Sequence, residues 1–139
     1  MASTILSGDY VLVDKISRYF KNFSREDIVV VNLHSDITLI IKRIIGLPGE
    51  RVEIKNDKVW IKSDRRDTGN AISETYLNFP DTPVIGLSTI QLDPKEYFVM
   101  GDNRENSIDS RELGAVNKRD IKGRVFLVFR FWPLYFRLF

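Results

Sequence analysis

The amino-acid sequence predicts an all-β fold: a coiled, mostly antiparallel sheet or partly closed barrel with a β-hairpin extension and a small inserted loop region. Apolar residues mostly alternate with polar ones or form short β-branched runs, and turn residues bound those runs. No window shows the apolar spacing of a long amphipathic helix. With 139 residues, the chain is long enough for a single domain, 1–139, with a core of its own.

Seven short segments have the composition and the apolar pattern of strands. Two of them flank Asn56 and Asp57, a two-residue signal for a tight hairpin turn. Short helical turns are expected near residues 15–20 and 109–113. The predicted strands are residues 10–14, 27–31, 38–41, 51–55, 58–62, 96–100 and 123–129.

Residues 64–92 interrupt this strand pattern. They contain glycines, prolines and many polar residues, and their apolar residues show little periodicity. Such a composition is typical of loops and turns. The segment is therefore interpreted as an inserted loop or small subdomain, and not as a linker between two domains.

The C-terminal tail, 125–139, is rich in aromatic residues. One interpretation is a last strand followed by an end that packs on the core. The other is a patch that binds a membrane surface, with Trp132 and Tyr135 at the depth of the lipid headgroups. Two arginines and a proline in the tail argue against a membrane span.

The composition excludes several classes of function. Twenty-one basic and 19 acidic residues give a net charge of +2, and the basic residues are scattered, so no nucleic-acid partner is expected. The chain has no cysteine, which excludes disulfides, a thiol nucleophile and a cysteine zinc site. The single histidine, His34, lies in a predicted turn, which disfavours a Ser-His-Asp triad. No apolar stretch reaches the roughly 18 to 20 residues of a membrane span, and no signal peptide is visible.

Lys42 stands within one of the most apolar runs of the chain. On a strand it shares a face with Ile40 and Ile44, so it is expected to be shielded from water. To serve as a base near pH 7, a lysine with an ordinary pKa of about 10.4 needs a decrease of about three pKa units, or about 4 kcal/mol. Burial among apolar groups can supply that decrease. The alternative is a lysine at a strand end whose ammonium group reaches water.

The segment 101–111 is a dense polar loop with two serines and several charges. Its asparagines and Asp102 favour a turn that side-chain hydrogen bonds stabilise. Either Ser107 or Ser110 could reach the amine of Lys42, and a rigid loop would position such a hydroxyl. A turn with a purely structural role is the alternative. The charged residues that could form ion pairs around the loop are Asp109, Arg111, Arg104 and Arg43.

Four segments, residues 7–15, 42–50, 97–111 and 121–124, carry a resemblance to a known family. Together they resemble the sequence boxes of bacterial type I signal peptidases, the membrane-bound serine proteases that remove signal peptides from exported proteins. A lysine stands at position 42, where the eukaryotic and archaeal branch has histidine, and this favours the bacterial type.

The resemblance implies roles for several residues. It makes Lys42 the general base of a serine–lysine dyad and Ser107 the hydroxyl that orients the lysine amine. The implied reaction is attack by a serine on the peptide carbonyl, followed by hydrolysis of the ester by water, with no metal and no cofactor. The ion-pair scaffold behind the site is assigned to Arg43, Asp102, Asp109 and Arg111.

The implied substrates are the signal peptides of exported preproteins. A preprotein is expected to lie extended beside the segment around Ile5 and beside residues 39–41. Shallow apolar pockets would admit only small side chains, which implies an Ala-x-Ala preference. The implied location is the bacterial plasma membrane, with the catalytic domain on its outer, extracytoplasmic face. The residues expected to line the substrate site are Met1, Ile5, Leu39, Ile40 and Ile41.

The nucleophile is the one member of the dyad that the resemblance does not find in this chain. Aligning Gly8 and Asp9 with the Gly-Asp pair of the family places the nucleophilic serine one residue before Met1. A chain that starts at Met1 is expected to lack both this serine and the N-terminal membrane anchor, and to be inactive as given. Ser3 and Ser7 remain candidates to replace the missing nucleophile.

Two other functions are compatible with parts of this pattern. A catalytically inactive homologue that binds extended signal peptides would share the same residues. A self-cleaving serine–lysine protease of the repressor type would need an internal cleavage site and a DNA-binding domain, and the sequence shows neither.

Overall fold

A computed structural model describes residues 1, 4–32, 38–63, 68–77, 84–86, 88–131 and 134–139. Over these residues the predicted all-β fold is confirmed, because the strands form antiparallel sheets that do not close into a barrel. The predictions for Ser3, His34 and Trp132 lie outside the described residues. The strands are β1 (Tyr10–Asp14), β2 (Ile28–Asn32), β3 (Leu39–Gly46), β4 (Arg51–Lys55), β5 (Lys58–Lys62), β6 (Asn70–Ala71), β7 (Thr89–Gln91), β8 (Glu96–Met100), β9 (Val116–Asn117), β10 (Ile121–Arg130) and β11 (Tyr135–Leu138).

Three short helices accompany the strands in the described part of the chain. They are a 3-10 helix at Ser17–Tyr19, helix α1 at Ser110–Leu113 and a 3-10 helix at Lys118–Asp120. The first two confirm the predicted helical turns. Asp109 precedes α1 and caps it, since its carboxylate accepts a hydrogen bond from the amide of Arg111.

The main sheet has seven strands in the order β1-β10-β2-β3-β8-β9, and β11 pairs with β10. All of these pairs are antiparallel. β10 is ten residues long and pairs with β1, β2 and β11. β3 lies between β2 and β8, so its centre is flanked by strands on both edges.

The small sheet has the strand order β6-β5-β4-β7. Its centre is the β4–β5 hairpin, whose turn residues Asn56 and Asp57 have φ angles of 50° and 57°. Two consecutive positive φ angles are typical of a two-residue hairpin turn, so the hairpin prediction is confirmed. β6 and β7 lie within residues 64–92 and add one strand to each side of the hairpin. That segment therefore completes the small sheet.

β3 contributes to two apolar clusters. Ile44 packs with Val29 in a cluster of the main sheet. The next residue, Ile45, packs in a second cluster that includes Val52 of the small sheet. This division follows from the alternation of side chains along a strand. Lys42 lies two residues from Ile44, so its side chain projects from the same side of β3.

The aromatic tail forms the end of β10 and the edge strand β11. Tyr10 of β1 stacks on Phe129 with ring centroids 5.4 Å apart, and Phe131 contacts both rings edge-on. All four residues of β11 are exposed, so the tail adds a strand but leaves apolar side chains at the surface. Among the described residues, none of the helices has the length and apolar character needed to cross a membrane.

Candidate active site

The amine of Lys42 lies inside the fold, against the loop that follows β8. Lys42 pairs with Val29 of β2, and only 7% of the lysine is exposed. Its Nζ lies 2.7 Å from the Oγ of Ser107, which is a hydrogen-bond distance. The structure therefore brings the predicted lysine and a predicted hydroxyl into direct contact.

Burial lowers the pKa of Lys42, because the surrounding groups disfavour the ammonium form. The charge of Asp109 opposes this decrease, and the charge of Arg111 adds to it. The net effect favours the neutral amine, which is the form that a general base requires.

Of the two serines that could reach Lys42, Ser107 is the one in contact with it. The hydroxyl of Ser110 is fully buried and accepts a hydrogen bond from the Val99 amide at 2.9 Å. Ser110 therefore fixes the start of α1 against β8 and belongs to the support of the loop.

Gly101 allows Lys42 and Ser107 to approach each other. The pairing of Arg43 with Met100 places Gly101, the next residue, opposite Lys42. A Cβ atom on Gly101 would lie 2.1 Å from Ser107 Oγ and 3.4 Å from Lys42 Nζ. Any side chain here would overlap the serine hydroxyl, so the contact requires glycine.

Asp109 is fully buried and connects several parts of the loop. Its carboxylate accepts from the Gly101 amide at 2.9 Å and from the Arg111 guanidinium at 2.8 and 2.9 Å. Burial alone would raise the pKa of Asp109, but hydrogen bonds from Arg111 and Gly101, together with the nearby Ser107 hydroxyl, keep that pKa below its usual value. The Ser107 oxygen itself accepts a hydrogen bond from Lys42.

A second buried ion pair supports the loop from β3. Arg43 donates to both carboxylate oxygens of Asp102, at 2.9 and 2.7 Å, and the two side chains are only 6% and 1% exposed. The Thr4 hydroxyl donates to the same carboxylate, and the sulfur of Met1 accepts from the Asp102 amide at 3.5 Å. These contacts connect residues 1 and 4 to the ion pair. All four predicted scaffold residues therefore take part in buried ion pairs, Arg43 with Asp102 and Arg111 with Asp109.

Three residues of this region were not predicted from the sequence: Thr4, Glu74 and Tyr76. Glu74 pairs with Arg104, and the ring of Tyr76 lies 4.1 Å from the guanidinium carbon of Arg43. Glu74 and Tyr76 belong to the segment with weak periodicity, and a glutamate two residues before a tyrosine is not a motif on its own. Only contacts over a long sequence separation identify them.

The residues expected to line the substrate site separate into two groups. Met1, Ile5 and Ile41 pack against one apolar cluster, which includes Val30. Ile40 packs against the cluster on the other side of β3, because adjacent residues of a strand face opposite ways. Ile40 and Ile41 therefore lie on opposite sides of β3, as the alternation of the strand predicts.

The segment around Ile5 is a turn and not the expected extended segment. The amides of Thr4 and Ile5 both donate to the Met1 carbonyl at 2.8 Å. The Ile5 amide is therefore already hydrogen-bonded and is not free to donate to a peptide strand. Leu39, at the start of β3, is 57% exposed and remains accessible.

A groove of about 580 Å³ lies beside the start of β3. Leu39 and Ile41, two of the residues expected to line the substrate site, line this groove. Its other lining residues are apolar (Val11, Val13, Val30), aromatic (Tyr19) and basic (Lys15, Arg18, Lys122).

Residues 1–132 match the family described as signal peptidase, peptidase S26. The chain belongs to the signal peptidase family. It is 38% identical over 138 residues to signal peptidase I P of Bacillus subtilis subsp. natto, and the match covers 93% of this chain and 71% of that protein. It is 37% identical over 139 residues to signal peptidase I S of Bacillus subtilis strain 168, with the same coverage.

The crystal structure of a signal peptidase I from Enterococcus faecalis V583 is similar to this signal peptidase family member. The two have a TM-score of 0.62 and 30% sequence identity, and the match covers 75% of this chain and 97% of the other. Signal peptidases are peptide hydrolases that remove signal peptides from preproteins, and family membership assigns this activity to the chain.

In a form of this signal peptidase that carries serine directly before Met1, replacing Asp109 with asparagine is expected to move the acid limb of the pH–activity profile to lower pH. The Asp109 charge raises the pKa of Lys42, so without it burial lowers that pKa further and the neutral base persists to lower pH. The plateau of kcat should fall about 10-fold, since the ion pair with Arg111 is lost and the loop is less well positioned. The check is kcat/KM measured across both limbs of the profile.

Asp57→Asn provides the control for this prediction. Asp57 is exposed in the hairpin turn at positive φ, a conformation that asparagine adopts equally well. Its profile should match that of the unchanged chain. An acid limb that stays in place in Asp109→Asn would show that Asp109 does not act on the base.

Proposed function

We propose that this chain is the catalytic part of a membrane-associated signal peptidase that cuts exported preproteins with a serine–lysine dyad. The observation that carries the proposal is the buried amine of Lys42, with a lowered pKa and with Ser107 Oγ at 2.7 Å. A lysine in such surroundings is suited to accept a proton from a hydroxyl near neutral pH.

In the proposed mechanism, neutral Lys42 takes the proton of the nucleophilic serine while the serine oxygen attacks the scissile carbonyl carbon. The lysine ammonium gives this proton to the leaving amine, and the signal peptide remains bound to the serine as an ester. Lys42 then takes a proton from water, which attacks the ester, and returns it to the serine oxygen as the signal peptide leaves. Ser107 orients the amine, and the buried carboxylate of Asp109 supports the Ser107 loop by accepting hydrogen bonds from Gly101 and Arg111.

The nucleophilic serine is proposed at the position directly before Met1, as the alignment with the family implies. Met1 lies against the active-site loop, since its sulfur accepts from the Asp102 amide at 3.5 Å, and the charge of Lys42 adds to burial in lowering the pKa of the Met1 amine. A residue joined to that nitrogen would therefore lie close to Lys42. Ser7, in contrast, is exposed.

The groove beside β3 supports an extended peptide as the substrate. A preprotein segment laid along the start of β3 would meet the exposed Leu39 and place apolar side chains against Ile41. Ile41 directly precedes Lys42, so a peptide bound in this groove would lie along the strand that carries the base.

The exposed apolar residues of the tail support a position at a membrane surface, and membership in the signal peptidase family implies the extracytoplasmic face of a bacterial plasma membrane. Phe131, Leu134, Phe136 and Leu138 are each at least two-thirds exposed. Aromatic and apolar side chains of this kind are favourable at a lipid interface and unfavourable in water. Such a position would bring the site close to substrates that the bilayer anchors.

The test is cleavage of a preprotein peptide by two forms of the chain that differ in one residue. One form carries serine directly before Met1 (the Ser-extended chain), and the other carries alanine there. The Ser-extended chain is expected to cut the peptide at a single bond, as identified by mass spectrometry, while the alanine form leaves it intact.

Two results would contradict the proposal. Equal cleavage by both forms would show that the nucleophile lies elsewhere. Tight binding of the peptide by both forms without cleavage would support the alternative function, an inactive homologue that binds signal peptides.

A further inference from the structure

We infer that Glu74 and Tyr76 are positioning residues of the active site. They act through two buried arginines, Arg104 and Arg43, on the loop that carries Ser107. This role rests on the proposed function, because it concerns the geometry of the same lysine–serine pair.

Glu74 and Arg104 form a buried ion pair. Both carboxylate oxygens accept from the guanidinium, one of them at 2.9 Å, and the two side chains are 11% and 2% exposed. A guanidinium bound by two oxygens is fixed in orientation as well as in position. The pair connects the segment 68–77, beside the small sheet, to the active-site loop.

Arg104 passes this constraint to Gly101. Its Nε donates to the Gly101 carbonyl at 3.2 Å, and the Gly101 amide donates to Asp109 at 2.9 Å. Both peptide groups of Gly101 are therefore restrained. Because Gly101 lies directly against Ser107 and close to Lys42, a shift of its backbone changes the distance between the base and the hydroxyl.

Tyr76 restrains the second guanidinium. Its hydroxyl donates to Glu74 at 2.7 Å, and its ring lies against the guanidinium of Arg43. Arg43 in turn holds Asp102 through two hydrogen bonds. Burial raises the pKa of Tyr76 and the charge of Glu74 adds to this, so the hydroxyl keeps its proton and remains a donor.

Orientation is the main effect expected of this arrangement. A buried ion pair contributes little net stability compared with well-packed apolar side chains, because both charges lose their hydration. Its specific effect is that two guanidiniums are held at the same loop, one through a carboxylate and one through a ring. Glu74 and Tyr76 therefore influence the reaction indirectly, through the backbone that contacts Ser107.

The test is the kinetics of Glu74→Gln in the Ser-extended chain, since glutamine keeps the shape of Glu74 without its charge. kcat is expected to fall at least about 10-fold while KM stays within about twofold, because the dyad and not the substrate groove is disturbed. Glu74→Asp keeps the charge and should recover part of the loss. Tyr76→Phe keeps the ring on Arg43 and should lose less activity than Tyr76→Leu.

Glu53→Gln is the matched control. Glu53 is 14% exposed at its side chain and pairs with Lys62 at 2.9 Å, so it is a comparable ion pair within the small sheet. In the described residues, none of the hydrogen bonds and ion pairs of Glu53 reaches the active-site loop. The kcat of Glu53→Gln should therefore equal that of the Ser-extended chain without the substitution. A kcat for Glu74→Gln equal to that of this control would overturn the inference.

Hydrogen exchange of the Gly101 amide gives a readout that does not depend on cleavage. In Glu74→Gln this exchange should quicken about 10-fold or more, while exchange in β2 stays the same. The double variant Glu74→Gln with Arg104→Met leaves no unpaired guanidinium, so it should fold. It should show the same lower kcat and the same faster exchange of the Gly101 amide.

If the unchanged Ser-extended chain does not cut the peptide, the proposed function fails, and exchange of the Gly101 amide still decides whether Glu74 has a positioning role. A Gly101 amide that exchanges as in the unchanged chain would overturn that role.

Discussion

Replacing Lys42 with methionine is expected to lower kcat about 10³-fold or more, because the variant has no group that can accept the proton of the nucleophilic hydroxyl. Methionine matches the lysine stem in length and is apolar, so it can occupy the same buried space. The measurement is single-turnover cleavage by the Ser-extended chain. Lys55→Met is the control, since Lys55 lies on the surface over the ring of Trp60 and should be dispensable. Full activity of Lys42→Met would exclude Lys42 as the base.

The same variant is expected to raise the free energy of unfolding at neutral pH, on the order of 1 kcal/mol. The native chain binds fewer protons than the unfolded chain between the lowered pKa of Lys42 and its ordinary value of 10.5. Stability of the unchanged chain therefore rises with pH in that window, and below it the cost of the buried lysine is fully present. The advantage of methionine should shrink as pH approaches 10.5. Denaturant unfolding at several pH values measures this, and an advantage independent of pH would contradict it.

Replacing Gly101 with alanine is expected to lower kcat about 100-fold, because the added methyl group forces Ser107 away from Lys42. The Cβ atom would overlap Ser107 Oγ and would lie only 2.7 Å from Ser107 Cβ, far inside van der Waals contact, so Ser107 has to move. KM should change little, since the groove beside β3 is not involved. The measurement is kcat and KM of the Ser-extended chain with and without the substitution.

Gly46→Ala is the control that distinguishes a loss of stability from a change in the geometry of the active site. A Cβ on Gly46 would lie 2.6 Å from Val52 and would strain the second apolar cluster, away from the Lys42–Ser107 contact. Both variants should lose about 1–3 kcal/mol of stability through overpacking. When kcat is calculated for the folded fraction of the enzyme, only Gly101→Ala should have a lower value. A Gly101→Ala enzyme with normal kcat would show that the Lys42–Ser107 contact is not needed.

Lys42 and Ser107 could be identified from the sequence because each stands out locally. A cation within an apolar run and a serine within a dense polar loop carry their own signal, and the resemblance to a family adds which serine to choose. The structure confirms the contact between them and shows why Ser110, three residues on, faces away. The β4–β5 hairpin was equally predictable, since its turn chemistry is confined to Asn56 and Asp57.

Other features depend on contacts that no short window contains. β6 has two residues and β7 has three, too few for a period of two to be visible. Glu74 meets Arg104 across 30 positions. The alternation of β3 predicts that Ile40 and Ile41 face opposite ways, but it does not tell which side a substrate takes. The turn at Ile5 could not be predicted, because it depends on a single carbonyl, that of Met1.

The pairing of β1 with β10, across more than a hundred residues of sequence, has a consequence for biosynthesis. β10 lies between β1 and β2, and among the described strands it alone connects β1 to the rest of the main sheet. Tyr10 of β1, for example, pairs with Phe129 of β10. Until β10 has been synthesised, β1 has no strand partner among the described residues, and such distant pairings form slowly. We therefore expect β1, and with it the segment that reaches Asp102 through Thr4, to dock only after residues 121–130 have left the ribosome.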